Sequence, residues 1–277
     1  MANAQIAVEE PLPGYWRATF DHAPINLIDY DTVRELSEFV TRLEQDPDVR
    51  VVMFDSANPD FFLAHFDIAA SAPETQEPTR TGMHPWLDVL SRLSRVPVAT
   101  IASVHGRARG AGCEFVLACD LRFASRDHSR FSQPEVAFGL VPGGGPMARL
   151  PRLIGRGRTL EFLFSGDDLA GSEAELYGFV NRALPDGQLD AFADAFARRI
   201  ARFDKRAIAE IKQYVDIASL PDDAELAPTM DAFMTAAARP TTVARVQAMM
   251  RRGLGRPGEV EFDLGAHLGA DDLPSAN

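Results

Sequence analysis

Val98-Ala99-Thr100-Ile101-Ala102-Ser103-Val104-His105-Gly106-Arg107-Ala108-Arg109-Gly110-Ala111-Gly112-Cys113-Glu114 is the stretch whose reading decides the fold class. Its opening residues are apolar, small or β-branched, the pattern of a strand buried on both faces. Gly106, Gly110 and Gly112 follow, and Ala111 to Cys119 then reads as a helix. Strand, glycine-rich turn and helix in that order aim backbone N–H groups at the start of a helix, where negative charge is favoured. Glu114 closes this run, and a second acid, Glu135, closes Phe131-Ser132-Gln133-Pro134-Glu135 ahead of Pro142-Gly143-Gly144-Gly145. Two acids beside a backbone anion cradle suit proton transfer around a polarised carbonyl, which points to an enzyme.

Outward from this stretch, strands and helices alternate. Tyr15 to Phe20 and Val49 to Phe54 read as strands. Asp29 reads as the N-cap of a helix from Tyr30 to Glu44, with Val33, Leu36, Val40 and Leu43 on one face. Ser71 to Gly82 has little periodicity and is expected to be a mobile loop; a helix from Met83 to Ser94 precedes Pro97. Leu121 to Ala124 reads as extended. After Gly145 the chain reads as mainly helical, with helices at Leu189 to Ile200, Ala207 to Val215, Asp222 to Ala238 and Thr241 to Arg252. From Gly253 it reads as irregular. The expected fold is α/β with a C-terminal helical portion.

At 277 residues the chain suffices for one large domain or two modest ones. A formal net charge of −12 argues against nucleic-acid binding, which needs a basic face. The two cysteines, Cys113 and Cys119, read as small buried hydrophobes rather than a disulfide. With no accompanying histidines they give no metal signature, so no metal is expected. No apolar run approaches the ~20 residues of a membrane span. The first ten residues lack a basic start and an apolar stretch, so no export signal is expected and the setting reads as reduced and cytoplasmic. The glycine run is not a dinucleotide fingerprint, and there is no phosphate loop, nucleophile elbow or H-E-x-x-H pair.

The order of features from Tyr15 to Val215 resembles the enoyl-CoA hydratase/isomerase (crotonase) superfamily. The resemblance is carried by Val96 through Glu114, Ala118-Cys119-Asp120-Leu121-Arg122-Phe123-Ala124, Phe131 to Glu135, Gly139-Leu140-Val141-Pro142-Gly143-Gly144-Gly145, Arg149-Leu150, Gly155 and Leu163-Phe164-Ser165-Gly166. It implies a spiral of ββα units, with residues 1–205 as the core carrying a coenzyme A thioester site. Residues 206–277 are then a helical portion for oligomerisation and pocket closure, in a homotrimer or hexamer. Glu114 and Glu135 take the positions of the family's catalytic acids, and the N–H groups of Phe66 and Ala111 those of its oxyanion hole. Ala64, His65, Asp67, Gly110, Gly112, Pro134 and Gly143 are the substrate-binding positions.

With both acids present, the leading expectation is hydration of a 2-enoyl-CoA thioester to a 3-hydroxyacyl-CoA. Coenzyme A enters as part of the substrate, and no cofactor is bound permanently. Δ3–Δ2-enoyl isomerisation is the alternative, followed by acyl-CoA hydrolysis or decarboxylation. A catalytically silent acyl-CoA-binding protein is the non-enzyme alternative. The chain departs from the family in reading Ala64-His65-Phe66-Asp67 where Ala-Gly-x-Asp is common. His65 is either packed and inert or in contact with the ligand's adenine or pantetheine. Arg107 and Arg109 suit either phosphate or a solvent or subunit face, and Met83 and Trp86 either core or acyl pocket.

Overall fold

The computed structural model describes residues 4–70 and 78–269. In chain order the elements are β1 (Ile6–Leu12), β2 (Tyr15–Phe20), α1 (Tyr30–Gln45), β3 (Val51–Ser56), β4 (Phe61–Leu63) and α2 (Pro85–Arg95). Next come β5 (Ala99–Val104), β6 (Arg107–Arg109), α3 (Ala111–Ala118), β7 (Leu121–Ser125), β8 (Arg130–Ser132) and α4 (Glu135–Phe138). They are followed by α5 (Pro146–Ser165), β9 (Leu169–Ala170), α6 (Gly171–Tyr177), β10 (Arg182–Leu184) and α7 (Asp186–Ile200). The chain then runs through α8 (Lys205–Ser219), α9 (Asp223–Ala237), α10 (Pro240–Arg252), α11 (Glu259–Phe262) and α12 (Leu264–Leu268).

The strands divide into a six-stranded sheet ordered β1-β2-β3-β5-β7-β10 and a four-stranded sheet ordered β4-β6-β8-β9. Successive units place one strand in each sheet and then a helix: β3-β4-α2, β5-β6-α3 and β7-β8-α4. This is the ββα spiral that the resemblance implies. Within it the strands run parallel, as ladders joined through crossover helices must. The last strand, β10, ends at Leu184, and α8 begins at Lys205.

The local signals have identifiable causes. Asp29 caps α1 by accepting from Thr32 N–H while the Thr32 hydroxyl takes the Asp29 N–H, and the helix buries Val33, Leu36, Phe39, Val40 and Leu43. Every residue of α3 is buried, so this short helix runs through the core rather than along its surface. At its centre the Phe115 ring meets Phe20 and Phe54 edge-on, at centroid distances of 5.2 and 5.0 Å. Both cysteines are free thiols and buried, as expected of small hydrophobes.

Two expectations change. The chain beyond Gly253 is not irregular. It forms α11 and α12, whose Val260, Leu264 and Leu268 pack with Phe138, Met249 and Leu254. Helices this short give no periodic signal and are held by tertiary packing alone. β1 went unread because it is an edge strand with only Ile6 fully buried, so it has no alternation to find. Of the expected mobile loop Ser71 to Gly82, residues 71–77 lie outside the described residues. Thr81 beyond them is tied through its N–H and hydroxyl to Asp88. No helix among the described residues is long and apolar enough to cross a membrane.

Phe115→Ala should remove about 3–5 kcal/mol of stability, since a buried aromatic in a filled cluster leaves a cavity that its neighbours cannot close. Urea unfolding followed by circular dichroism reads this as a lower midpoint, and an unshifted midpoint contradicts it.

Candidate active site

The parallel register of β6 and β8 pairs Arg109 with Ser132, so the residues just beyond each strand come together. Gly110 N–H donates to the Ser132 carbonyl at 2.9 Å, tying the start of α3 to the turn that carries Glu135. A Cβ placed on Gly110 would stand 3.0 Å from Glu135 Oε1 and 3.7 Å from the His65 Cβ, a measure of how tightly three loops meet there. Gly112 is required for a different reason. A Cβ at that position would lie 2.2 Å from the Leu63 carbonyl oxygen, so only glycine lets α3 seat against β4.

Glu114 is 4% exposed. Its Oε1 accepts from Gly144 N–H at 2.6 Å and its Oε2 from the Trp86 indole N–H at 2.7 Å. A Cβ at Gly144 would overlap Glu114 Oε2, so that contact also depends on glycine. Burial pushes the Glu114 carboxyl above its ordinary value, while the two donors and the Arg149 charge pull against it. Glu135 is half-buried and its Oε2 has no partner among the described residues. Burial, and secondarily the charge of Glu114, push it up to about 8. Both acids are thus raised, but only Glu114 has a side-chain and a loop donor that favour its charged form.

Both carboxyls face a cavity of about 370 Å³. Its walls include Tyr30, Phe66, Trp86, Met230, Phe233 and Leu264, and its lining holds neither lysine nor arginine among the described residues. A larger groove of about 500 Å³ lies against α8, but it contains neither glutamate.

Phe66 and Ala111 both line the cavity. Around Phe66 the chain is pinned to Ile28: the His65 carbonyl accepts from Ile28 N–H at 2.9 Å, and Asp67 N–H donates to the Ile28 carbonyl at 2.7 Å. Phe66 N–H, between them, has no acceptor among the described residues. Ala111 opens α3, where N–H groups have no partner within the helix. His65, Gly110, Pro134 and Gly143 share the cavity lining. Ala64, Asp67 and Gly112 do not, and Ala64 is engaged through its backbone with Asn26 and Arg109.

His65 is buried, with Nδ1 2.8 Å from the Phe66 carbonyl oxygen and Nε2 3.0 Å from Glu261 Oε1. Arg109 is fully buried and grips Asp168 and the Glu261 carbonyl, so it faces neither phosphate nor solvent. Arg107 lies over the rings of Phe61 and Phe262 and donates to the Phe262 carbonyl. Neither arginine lines the cavity. Trp86 combines both of its sequence readings, being buried in the core and lining the pocket, and adds a hydrogen bond to Glu114 that its sequence position gives no sign of. Glu261, Gly144 and the cavity residues Leu254 and Leu264 went unread.

The family model for enoyl-CoA hydratase/isomerase matches residues 17–241. The chain is 32% identical over 211 residues to a short-chain-enoyl-CoA hydratase of Clostridium acetobutylicum, covering 76% of this chain and 80% of the relative. It is 33% identical over 180 residues to a crotonyl-CoA hydratase of Syntrophomonas wolfei, covering 64% and 67% respectively. Among solved structures, a Streptomyces avermitilis protein provisionally named an enoyl-CoA hydratase superimposes with a TM-score of 0.91 at 38% identity, over 98% of each chain. By sequence across most of its length and by architecture, the chain belongs to the enoyl-CoA hydratase/isomerase family.

Proposed function

We propose that this protein hydrates a 2-enoyl-CoA thioester to the 3-hydroxyacyl-CoA. The observation that carries the reading is the contrast between two carboxyls in one cavity. Glu114 accepts two N–H donors, while Glu135 has an unpartnered oxygen and is pushed up to about 8. The names of the matched relatives point to the same reaction.

In this mechanism the thioester oxygen accepts from Phe66 N–H and Ala111 N–H. Glu114, as the carboxylate, takes a proton from water while the water oxygen bonds to Cβ. The alkene electrons move through the thioester to its oxygen as an enolate. That oxygen is where fixed N–H donors act, and each such donor is worth roughly 3–4 kcal/mol. Glu135 then delivers its proton to Cα, and transfer of the proton on Glu114 back to Glu135 resets the site. The elements of water are added and no electrons leave the substrate, so the reaction needs no permanently bound cofactor. The cavity takes the acyl end, and the phosphates of coenzyme A stay outside a lining that holds neither lysine nor arginine among the described residues. A homotrimer or hexamer in the cytoplasm belongs to the same reading.

One observation favours a second reading, Δ3–Δ2 isomerisation. Both Glu114 oxygens are already engaged, leaving Glu135 as the acid with a free oxygen. That route needs Glu135 ionised to take the first proton, so its rate would rise through about pH 8, opposite to hydration.

Steady-state turnover on short, long and aromatic 2-enoyl-CoA thioesters tests the assignment. Glu114→Gln and Glu135→Gln should each lower kcat by about 10²–10⁴. Either variant retaining wild-type rates sinks the two-acid mechanism. Hydration requires Glu114 ionised and Glu135 protonated. Its kcat/KM should therefore fall as pH rises through about 8, where Glu135 loses the proton it delivers, and the acid limb belongs to Glu114, which burial raises above its ordinary value.

Trp86→Phe keeps the ring but deletes the donor. A hydrogen bond to a charged group is worth roughly 1.5–3 kcal/mol, so the acid limb should move up by about one to two pH units. An unmoved acid limb would mean that the indole N–H does not sustain the charge on Glu114.

A further inference from the structure

His65 stands where the family commonly has glycine, and its two ring nitrogens face two acceptors. The Phe66 carbonyl can only accept, so Nδ1 carries a hydrogen. On the other side, Glu261 Oε1 already accepts Gly255 N–H at 2.6 Å, and Nε2 approaches that same oxygen at 3.0 Å. As a carboxylate oxygen it accepts from Nε2–H as well. Both nitrogens protonated means an imidazolium.

The surrounding charges agree. Arg109, on β6, pairs with Asp168 and donates to the Glu261 carbonyl. With His65 charged, the set of Asp168, Arg109, Glu261 and His65 sums to zero. With His65 neutral, it leaves a net negative charge around the buried Arg109 and Glu261, which is costly. Glu135 on α4, and His84 across the cavity, are the other titratable groups near the ring besides Glu114 and Tyr30. The directions agree too. The Glu261 hydrogen bond and charge hold the His65 imidazolium above its ordinary value against the opposing effect of burial, and His65 holds Glu261 down against the same effect.

We propose that His65, held as an imidazolium between the Phe66 carbonyl and the Glu261 carboxylate, is a positioning residue for the oxyanion donor Phe66 N–H. Ile28 N–H fixes the peptide before Phe66 and His65 Nδ1–H fixes the one after it, which leaves Phe66 N–H rigidly presented to the cavity. The pair also spans 196 residues of sequence. It thereby joins the oxyanion loop to the C-terminal segment whose Leu254 and Leu264 wall the cavity. The positive ring lines the cavity in which the enolate would form, so it also favours the enolate over the neutral thioester.

The inference deepens the hydratase reading and rests on it for kinetics alone. Ring-nitrogen NMR of ¹⁵N-labelled protein, with His65 assigned by its absence in His65→Gln, should show both nitrogens protonated at about pH 7 and a neutral ring in Glu261→Gln. Glu261→Gln preserves shape and removes the charge. It should lower kcat roughly tenfold or more, with little change in KM, and recover as falling pH recharges the ring. A purely structural role would give no such recovery. A neutral His65 in the wild-type protein overturns the proposal whether or not Glu261→Gln folds, and so does a variant with wild-type kcat across the pH range. A wild-type protein that hydrates no enoyl thioester instead overturns the reading beneath the kinetic arm, and the ring spectrum still decides the charge.

Discussion

The β6–β8 ladder pairs Arg107 with Arg130, Ala108 with Phe131 and Arg109 with Ser132, and β4 joins the other edge of β6. Three strand ends therefore stop at one level, and the loops beyond them carry Phe66, Ala111 and Glu135. A register slip of one residue would turn every side chain of the slipped strand to the other face and separate these loops. Each strand has only three residues, so the ladder is held by what packs behind it. The contact of Gly112 with the Leu63 carbonyl and the fully buried Arg109 do that work. The chemistry thus depends on a backbone alignment that no catalytic side chain provides.

Placing Glu114 in a helix that is otherwise apolar sets two opposing effects of similar size against each other. Desolvating a carboxylate costs several kcal/mol after relaxation. Two N–H donors to a charged group return roughly 1.5–3 kcal/mol each. Burial stays ahead, so Glu114 remains raised, yet both donors favour its charged form. Glu135 is half-buried and bears the charge of Glu114 as well, with only its own backbone N–H to offset these effects, and is pushed up to about 8. Two identical side chains in one cavity differ in what offsets their burial, because the Trp86 and Gly144 donors serve only one of them. They titrate as a coupled pair, so a pH profile reports the pair before it reports either residue.

What the sequence revealed was what is local. The Asp29 cap, the apolar face of α1, the buried strand ahead of Gly106 and the glutamate at each turn are all decided by residues within a few positions of one another. What it hid was decided by packing direction or by distance along the chain. Trp86 and Glu114 lie 28 residues apart on different helices, and nothing in either segment says that the indole N–H points at a carboxylate. Glu261 lies in a four-residue helix with no periodic signature, 196 residues from the histidine it pairs with. His65 was conspicuous as a departure from the family pattern. Its partner was not, so the ring could be read as inert or as ligand-facing but not as half of an ion pair.

The same distribution separates two kinds of wall in the cavity. The reacting end of the cavity is built from the ladder and its glycine turns, where a shift of a few tenths of an ångström meets backbone. Met230, Phe233, Met234, Leu254 and Leu264 on C-terminal elements complete the lining. Methionine is unbranched and adapts to irregular volumes, so this wall can change shape. Under the proposed reaction, acyl preference is then set by residues that touch no reacting atom. The His65–Glu261 pair is the point at which the adaptable wall is fastened to the rigid end. A wall free to drift would carry α11 and its carboxylate away from His65 and release the peptide that presents Phe66 N–H. Adaptability at one end therefore requires a fixed connection at the other, and a buried ion pair, whose partners cannot separate without stranding a charge, supplies one.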